Sequence, residues 1–369
     1  LDGFTQAVKW VLDVVDVKNI NSTVKLEINP KNGETKFSTS SMVGDRTFNL
    51  TGDLESDEDL TTYEMSANVL KKAVDRFMGN EIVLESTNAN MVITAGIKVK
   101  IPLLSTYLTN GTKKKFDLIG TVTAQDLFDA AKYLSPITDP GASSPRLACL
   151  DFTVSNDNTI VIMATDRFTF STREVSYSST GDTKECRFLI TADDVHKLNS
   201  LKDSGTVDIS ENKANVLFSF YNGATATVKK VVDEPVDYSS IIQKNRDGES
   251  SFVVNTAQLS GLVNTAATLS EMSNDVYIKV TPTALDIYNK GEIVHAPLAI
   301  EAADFDNEKL FVFGYEVIKE TLMAISTETV KFKFLNTDDG VFPVVWGQLK
   351  SDGTEDESTY LLSLPLQLD

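Results

Sequence analysis

The residues that most often carry catalysis are sparse in this chain and poorly spaced for it. His196 and His295 are its two histidines. The first falls on the polar face of a helical pattern beside Asp193 and Asp194, and the second in the strand-like VHAP; neither pairs in sequence with a nucleophile. Cys149 and Cys186 form no CxxC and no metal-ligand spacing, and they read as core thiols of a reducing compartment. Residues 53–59 hold five acids in seven positions, a solvated loop, because flexible like charges do not fix the geometry a metal needs. Asp338 and Asp339 fall in a turn, where carboxylates satisfy backbone amides, and Asp166 beside Arg167 reads as a turn or a local ion pair. No glycine-rich phosphate loop, HExxH, GxSxG or EF-hand loop occurs. Two alternatives stay open: a non-catalytic three-domain scaffold that holds no DNA, and a DNA-processing enzyme, such as a nuclease, whose carboxylates come from distant segments.

The chemistry that the spacing does suggest is binding. Positive charge gathers on helical patterns: Lys71, Lys72 and Arg76; then His196, Lys197 and Lys202; then Lys319, with Lys9 and Lys132 on their neighbours. Such side chains either solubilise a helix or make weak, sequence-blind contacts to a phosphate backbone. The formal net charge of -19 excludes nucleic-acid binding by the whole surface and leaves room for a local basic face. No ladder of arginines and aromatics for reading bases is present.

These residues sit on a repeated unit. A helical pattern followed by two strand patterns around a tight turn occurs at 66–96, 191–221 and 314–347. The turns carry Asn88 and Asn90, Asn212 and Asn215, and Asn336 with Gly340. Each unit is preceded by another helical pattern, at 3–15, 123–134 and 256–269. The paired helix starts lie 63 (3 to 66), 68 (123 to 191) and 58 (256 to 314) residues apart. The first has its apolar stripe at Phe4, Ala7, Val8, Val11, Leu12 and Val15, the second at Leu127, Ala130, Ala131 and Leu134. With 369 residues, 41% of them hydrophobic, the chain divides into three α+β domains, 1–114, 115–245 and 246–369. Each is expected to hold two helices and about eight strands. Both apolar stripes then lie on one side against antiparallel sheets, and the polar faces lie together on the other. No apolar run is long enough to span a membrane, no signal peptide is present, and the sequons at Asn21, Asn49 and Asn110 read as chance matches in a cytosolic chain.

Three motifs in this order resemble the bacterial DNA polymerase III beta subunit family, the sliding clamps, across essentially the whole chain. They are ATDRFTF at 164–170, DEPVDYSSII at 233–242 and the terminal LLSLPLQLD. The resemblance implies the three-domain DNA clamp fold, closed as a head-to-tail homodimeric ring around duplex DNA. It implies no catalytic site, no cofactor and no membrane, a cytoplasmic location, and a replicative polymerase and a clamp loader as partners. The nine cationic side chains above would face DNA. A pocket for short apolar peptides would be lined by Leu147, Thr165, Thr169 and Phe170, by Pro235 and Ile241, and by Leu362, Leu364, Pro365 and Leu366. For Leu147 and Phe170 a place in the core between domains is the alternative. The chain departs from the family where Gly-His-Arg is replaced by Arg167, Phe168 and Thr169, which loses or displaces a basic residue at the pocket edge. Gln367 stands for the terminal arginine, Asp369 adds an acid, and lysines are few on the third domain's helices. The family's opening strand has no counterpart before Gly3 and the chain opens on Leu1, so native residues are expected ahead of it.

Overall fold

A computed structural model gives the structure of residues 2–15, 22–40, 44–51, 61–79, 81–87, 89–104, 115–179, 185–233, 238–245, 248–269, 274–290, 295–300, 303–335 and 343–366, the described residues of the chain. The acid run at 53–59, Asn88, Pro235, the turn at 336–340 and the terminal Gln367 and Asp369 lie outside them. Seven helices are described: α1 (Asp2–Leu12), α2 (Ala67–Val74), α3 (Ala124–Leu134), α4 (Ala192–His196), α5 (Ser239–Asn245), α6 (Thr256–Thr268) and α7 (Tyr315–Met323). The strands pair antiparallel throughout. Residue contacts divide the chain into two units.

The first unit comprises Leu1–Gln125, Tyr177–Thr183 and Lys197–Lys230. Its main sheet runs in the order Asp117–Thr123, Thr206–Glu211, Asn215–Phe220, Ala224–Lys229, Gly44–Thr51, Glu34–Ser40, Thr23–Asn29, Thr61–Ser66. Alternation places Val24, Leu26, Phe37 and Phe48 on one buried face, where α1 packs with Phe4, Ala7, Val8 and Val11. A smaller sheet, Val83–Ser86, Asn90–Ala95 and Ile97–Pro102, accompanies it.

A seam joins two distant parts of the sequence within this sheet, Ala224 to Val228 pairing with Phe48 to Gly44. The approach is close enough that a β-carbon on Gly44 would collide with the Thr227 carbonyl oxygen. Behind the seam Arg46 is almost wholly buried, its guanidinium 3.9 Å from the centre of the Trp10 ring. Arg46 donates to the Trp10 carbonyl (3.1 Å), to the Lys197 carbonyl (3.2 Å) and to Asp13 (3.3 Å). Those two carbonyls belong to the ends of helical segments, where partial negative charge collects.

The second unit comprises Asp126–Ser176, Lys184–His196 and Val231–Asp369. Its main sheet runs Ser250–Asn255, Thr329–Phe334, Val344–Leu349, Thr359–Ser363, Thr169–Ser178, Thr159–Thr165, Cys149–Val154, Cys186–Thr191. A four-stranded sheet, His295–Ala299, Ala284–Asn289, Asp275–Val280 and Lys309–Gly314, supports α6, and α7 lies beside α6. Phe252, Phe332 and Trp346 form the aromatic centre of the core, with ring centroids 4.6 Å apart for each of Phe252 and Trp346 against Phe332. This sheet also has a seam, Thr169 to Arg173 against Ser363 to Thr359. There too an arginine is buried. Arg173 lies 4.4 Å from the centre of the Tyr133 ring and donates to the Ala324 carbonyl at the end of α7 (2.8 Å), to Ser326 Oγ (3.3 Å) and to Gln348 Oε1 (3.4 Å).

Three elements differ from the sequence expectation. The first helix ends at Leu12 rather than Val15, because Arg46 takes the Trp10 carbonyl. The helical pattern from Thr191 yields five residues of α4 and then a 3-10 turn at Asn199–Leu201. Thr191 caps it, its hydroxyl oxygen accepting from the Asp194 amide at 3.2 Å while the hydroxyl donates to Asp194 Oδ2 at 2.7 Å, and the Lys197 carbonyl is committed to Arg46 instead of continuing the helix. The stretch after DEPVDY, where no helix is expected, folds as α5, with the Tyr238 carbonyl accepting from the Ile241 and Ile242 amides.

Candidate functional site

The cationic side chains are distributed unevenly. In the first unit Lys71, Lys72 and Arg76, on and just after α2, are exposed and make no ion pair among the described residues. Lys9 on α1 reaches Asp75 at 2.9 Å. Burial pushes the Asp13 carboxyl up from its ordinary value, and Arg46, Lys71 and Lys197 pull it back, which places these cations around the C-terminal end of α1. Lys202 follows the 3-10 turn and is half-buried. In the second unit Lys132 is exposed at the end of α3 and His196 at the end of α4. Lys319 on α7 is tied to Glu316 at 3.1 Å, a bond that raises its pKa. Helix α6 carries no charged residue. Among the described residues, the expected cations without an ion pair thus include Lys71 and Lys72 on α2 and Arg76 just after it.

The second unit contains a narrow depression around the start of the strand Thr169–Ser178. Thr165 and Phe170, both expected, line it with Met163, Cys149, Arg146 and Tyr238, and Asp151 closes the floor. Its cavity volume is about 10 Å³, the room of a single water. The Tyr238 ring lies over Phe170 with centroids 4.6 Å apart and planes at 30°. Leu147 and Thr169 are buried beside these residues, and Leu362 is cross-strand partner to Phe170. Leu364 donates its amide to the Phe168 carbonyl (2.8 Å), Leu366 to the Val312 carbonyl (2.6 Å), and Pro365 between them is half-buried. Ile241 is exposed on α5. Arg146, Cys149, Asp151, Met163 and Tyr238 were not expected; Tyr238 lies inside a quoted motif, whereas Arg146 sits in the loop DPGASSPR and had no signal.

Electrostatics around the depression rest on named contacts. Arg187 holds both oxygens of Asp151, at 2.8 and 2.5 Å. Burial, then the nearby Asp233, Asp151 and Asp194, push the Cys149 thiol up to about 11, so it is no nucleophile at neutral pH. The Asp166 carboxylate accepts from the Phe168 and Thr169 amides at 2.8 and 2.5 Å and shapes the preceding turn. Arg167 takes a φ of 87° in that turn, at the position where the resembled family has glycine, and points out to Asp139 at 3.4 Å. Of the arginines near the depression, Arg146, from another loop, is the one that lines it. Glu320 on α7 is pushed up to about 7 by burial, then by the negative charge of Asp166 and the hydrogen bond they share. No three His, Cys, Asp or Glu among the described residues are grouped to hold a metal, and no described helix is long and apolar enough to cross a membrane.

Against known proteins, the sequence matches no family model and no curated protein. Solved structures match over the whole chain. DNA polymerase III subunit beta of Pseudomonas aeruginosa superposes with a TM-score of 0.82 at 15% identity, covering 100% of this chain and 98% of that one. The fold is that of the bacterial sliding clamps. The Bacillus subtilis DNA polymerase sliding clamp matches at 16% identity, a TM-score of 0.82 and the same coverage. The Helicobacter pylori beta clamp, solved bound to a DNA ligase peptide, matches at 14% identity and 0.81, covering 99% and 98%. At such identities the likeness establishes fold, not the use of individual residues.

Proposed function

We propose that this chain is a non-catalytic DNA sliding clamp, a processivity factor that encircles duplex DNA and tethers a replicative polymerase. The observation that carries the reading is the end-to-end correspondence of fold with DNA polymerase III beta subunits, in which neither chain has an unmatched domain-sized part. On this reading the modules 1–114, 115–245 and 246–369 of two copies close head to tail into a ring placed by a clamp loader. The helices face DNA and the depression receives partner peptides. Lys71, Lys72 and Arg76 lead the contact to phosphate, because a lysine held by Asp75 or Glu316 must first give up its partner. Weak contacts without base readout let a ring slide, while a tethered polymerase that lets go is recaptured at high effective concentration.

The test begins with solution mass and particle images, which should give a dimer with a central opening. Protein loaded on nicked circular duplex should persist after dilution and escape once the circle is linearised. Replacing Lys71, Lys72 and Arg76 by alanine should weaken association and flatten its salt dependence by about 0.9 log units per lost phosphate contact. A compact monomer without an opening, or equal retention on circles and linear DNA, overturns the reading.

A further inference from the structure

The chain holds three Asn-Gly steps, at 32–33, 110–111 and 222–223, of which the second lies outside the described residues. The other two, both in the first unit, share one local design. Asn32 Oδ1 accepts from the Glu34 amide at 3.2 Å, and Asn222 Oδ1 from the Ala224 amide at 3.1 Å. Each side chain is thereby folded back toward the amide of the glycine that follows it. Both glycines take the left-handed backbone, with φ of 68° at Gly33 and 84° at Gly223. Two contacts set the steps apart. The Gly223 amide is committed to the Phe220 carbonyl at 3.0 Å, whereas the Gly33 amide makes no hydrogen bond among the described residues. Asn32 Nδ2 donates to Glu34 Oε2 at 2.6 Å, whereas among the described residues no carboxylate holds Nδ2 of Asn222. Asn32 is also exposed, in the turn between Thr23–Asn29 and Glu34–Ser40, while Asn222 is half-buried.

We infer that Asn32 is a self-modifying site, at which the folded chain converts its own side-chain amide to a carboxylate with Glu34 assisting. The step is an intramolecular acyl transfer between adjacent groups. The Gly33 nitrogen gives up its proton and bonds to Asn32 Cγ, and the carbonyl electron pair moves onto Oδ1, where the Glu34 N–H already stands. The carbonyl re-forms as the Cγ–Nδ2 bond breaks. Nδ2 leaves as ammonia, its third hydrogen passed on by the Glu34 carboxyl, which takes up through water the proton that Gly33 released. Water then opens the resulting five-membered imide at either carbonyl. One opening leaves aspartate at 32; the other leaves isoaspartate, with the main chain rerouted through the side chain. Water is the co-reactant, ammonia the leaving group, and nothing is oxidised or reduced. At Asn222 the same attack waits until the bond from Gly223 to Phe220 opens. The product at 32 sets a second carboxylate beside Glu34, and the lengthened main chain strains the pairing of Asn29 with Glu34 at the end of the hairpin. The first unit thus carries a mark of the molecule's age.

Full-length protein aged at neutral pH in water enriched in heavy oxygen tests it, with samples digested at intervals and each Asn-Gly peptide followed by mass spectrometry. Heavy oxygen should enter at residue 32, with isoaspartate and aspartate both formed, the mark of an imide opened from two sides. In the folded protein Asn32 should convert about tenfold faster than Asn222, the ratio that one protecting hydrogen bond of about 1.4 kcal/mol gives. In urea, where both steps lose their surroundings, the two rates should come within about twofold. Glu34→Gln should slow Asn32 about fivefold in the folded protein, leave Asn222 unchanged, and have no such effect in urea. Equal rates at Asn32 and Asn222 in the folded protein, or a rate at Asn32 lower folded than in urea, overturn the site. An unchanged rate in folded Glu34→Gln overturns the assistance by Glu34. Should that variant not fold, the folded-to-urea ratio at Asn32 of the wild type decides, a value of one or less overturning the proposal.

Discussion

In the first unit the strand Gly44–Thr51 is joined to Ala224–Lys229; in the second, Thr169–Ser178 is joined to Thr359–Ser363. Both seams carry a buried arginine laid on an aromatic ring and donating to the carbonyls of helix ends. They differ in how its charge is answered. Arg46 reaches two helix-end carbonyls and the carboxylate of Asp13. Among the described residues Arg173 bonds only neutral acceptors, and burial draws its pKa down to about 10, with Tyr133 and Asp356 opposing. A helix end supplies enough negative potential to hold a buried guanidinium without a salt bridge, and a carboxylate at the rim of one seam is an addition rather than a requirement.

The two tryptophans allow the seams to be read separately, Trp10 lying at the first and Trp346, bonded to Ser363 Oγ at 2.8 Å, at the second. Single-tryptophan backgrounds in urea should show Arg46→Ala destabilising the Trp10 transition by about 3–4 kcal/mol, since it leaves two helix-end carbonyls unanswered and a cavity under the ring. Arg173→Ala should lower the Trp346 transition by about 2–3 kcal/mol, with a smaller effect at Trp10. Equal shifts at both tryptophans for both variants would mean that the seams do not act locally. Next in size, Thr47→Val breaks the hydroxyl pair of Thr47 with Thr225 (2.7 Å) at a cost of about 1 kcal/mol, most of which Thr225→Val should restore, because removing both partners leaves nothing unpaired.

Glu320 provides a pH probe for the second unit alone. Its folded pKa of about 7 exceeds the ordinary 4.5, so the folded state binds the extra proton and stability falls as pH rises from 4.5 through 7. Glu320→Gln should match the wild type below pH 4.5 and exceed it above pH 7 by on the order of 1 kcal/mol, after solvent screening is allowed for, seen at Trp346 and not at Trp10. Smallest, Arg167→Gly relieves a left-handed residue and gives up an exposed ion pair, for a net gain of about 0.5 kcal/mol at Trp346.

What could be read from the sequence was whatever has a period. The stripes of α1 and α3 are buried as their spacing predicts, except that Val15 lies past the helix end. The strands alternate as their patterns do. The seams were not legible. Nothing local marks Arg46 for the interior, and only its meeting with Trp10 and Lys197, the latter 151 residues away, makes it core. The same contact shortened the helix after Thr191, which local propensity alone would have continued. In the candidate site, Thr165 and Phe170 were reachable through a motif. Arg146 was not, because only the fold brings its loop beside Thr165 and Phe170.

The second seam has a consequence for synthesis. Ser171 waits for Tyr360, 189 residues further along, before its strand gains that neighbour. At ordinary ribosome speeds that is roughly ten to forty seconds during which one flank of a β-rich, apolar segment is bare to other nascent chains. A chaperone able to cover an unpaired strand flank would then matter more for the yield of this protein than for its finished stability.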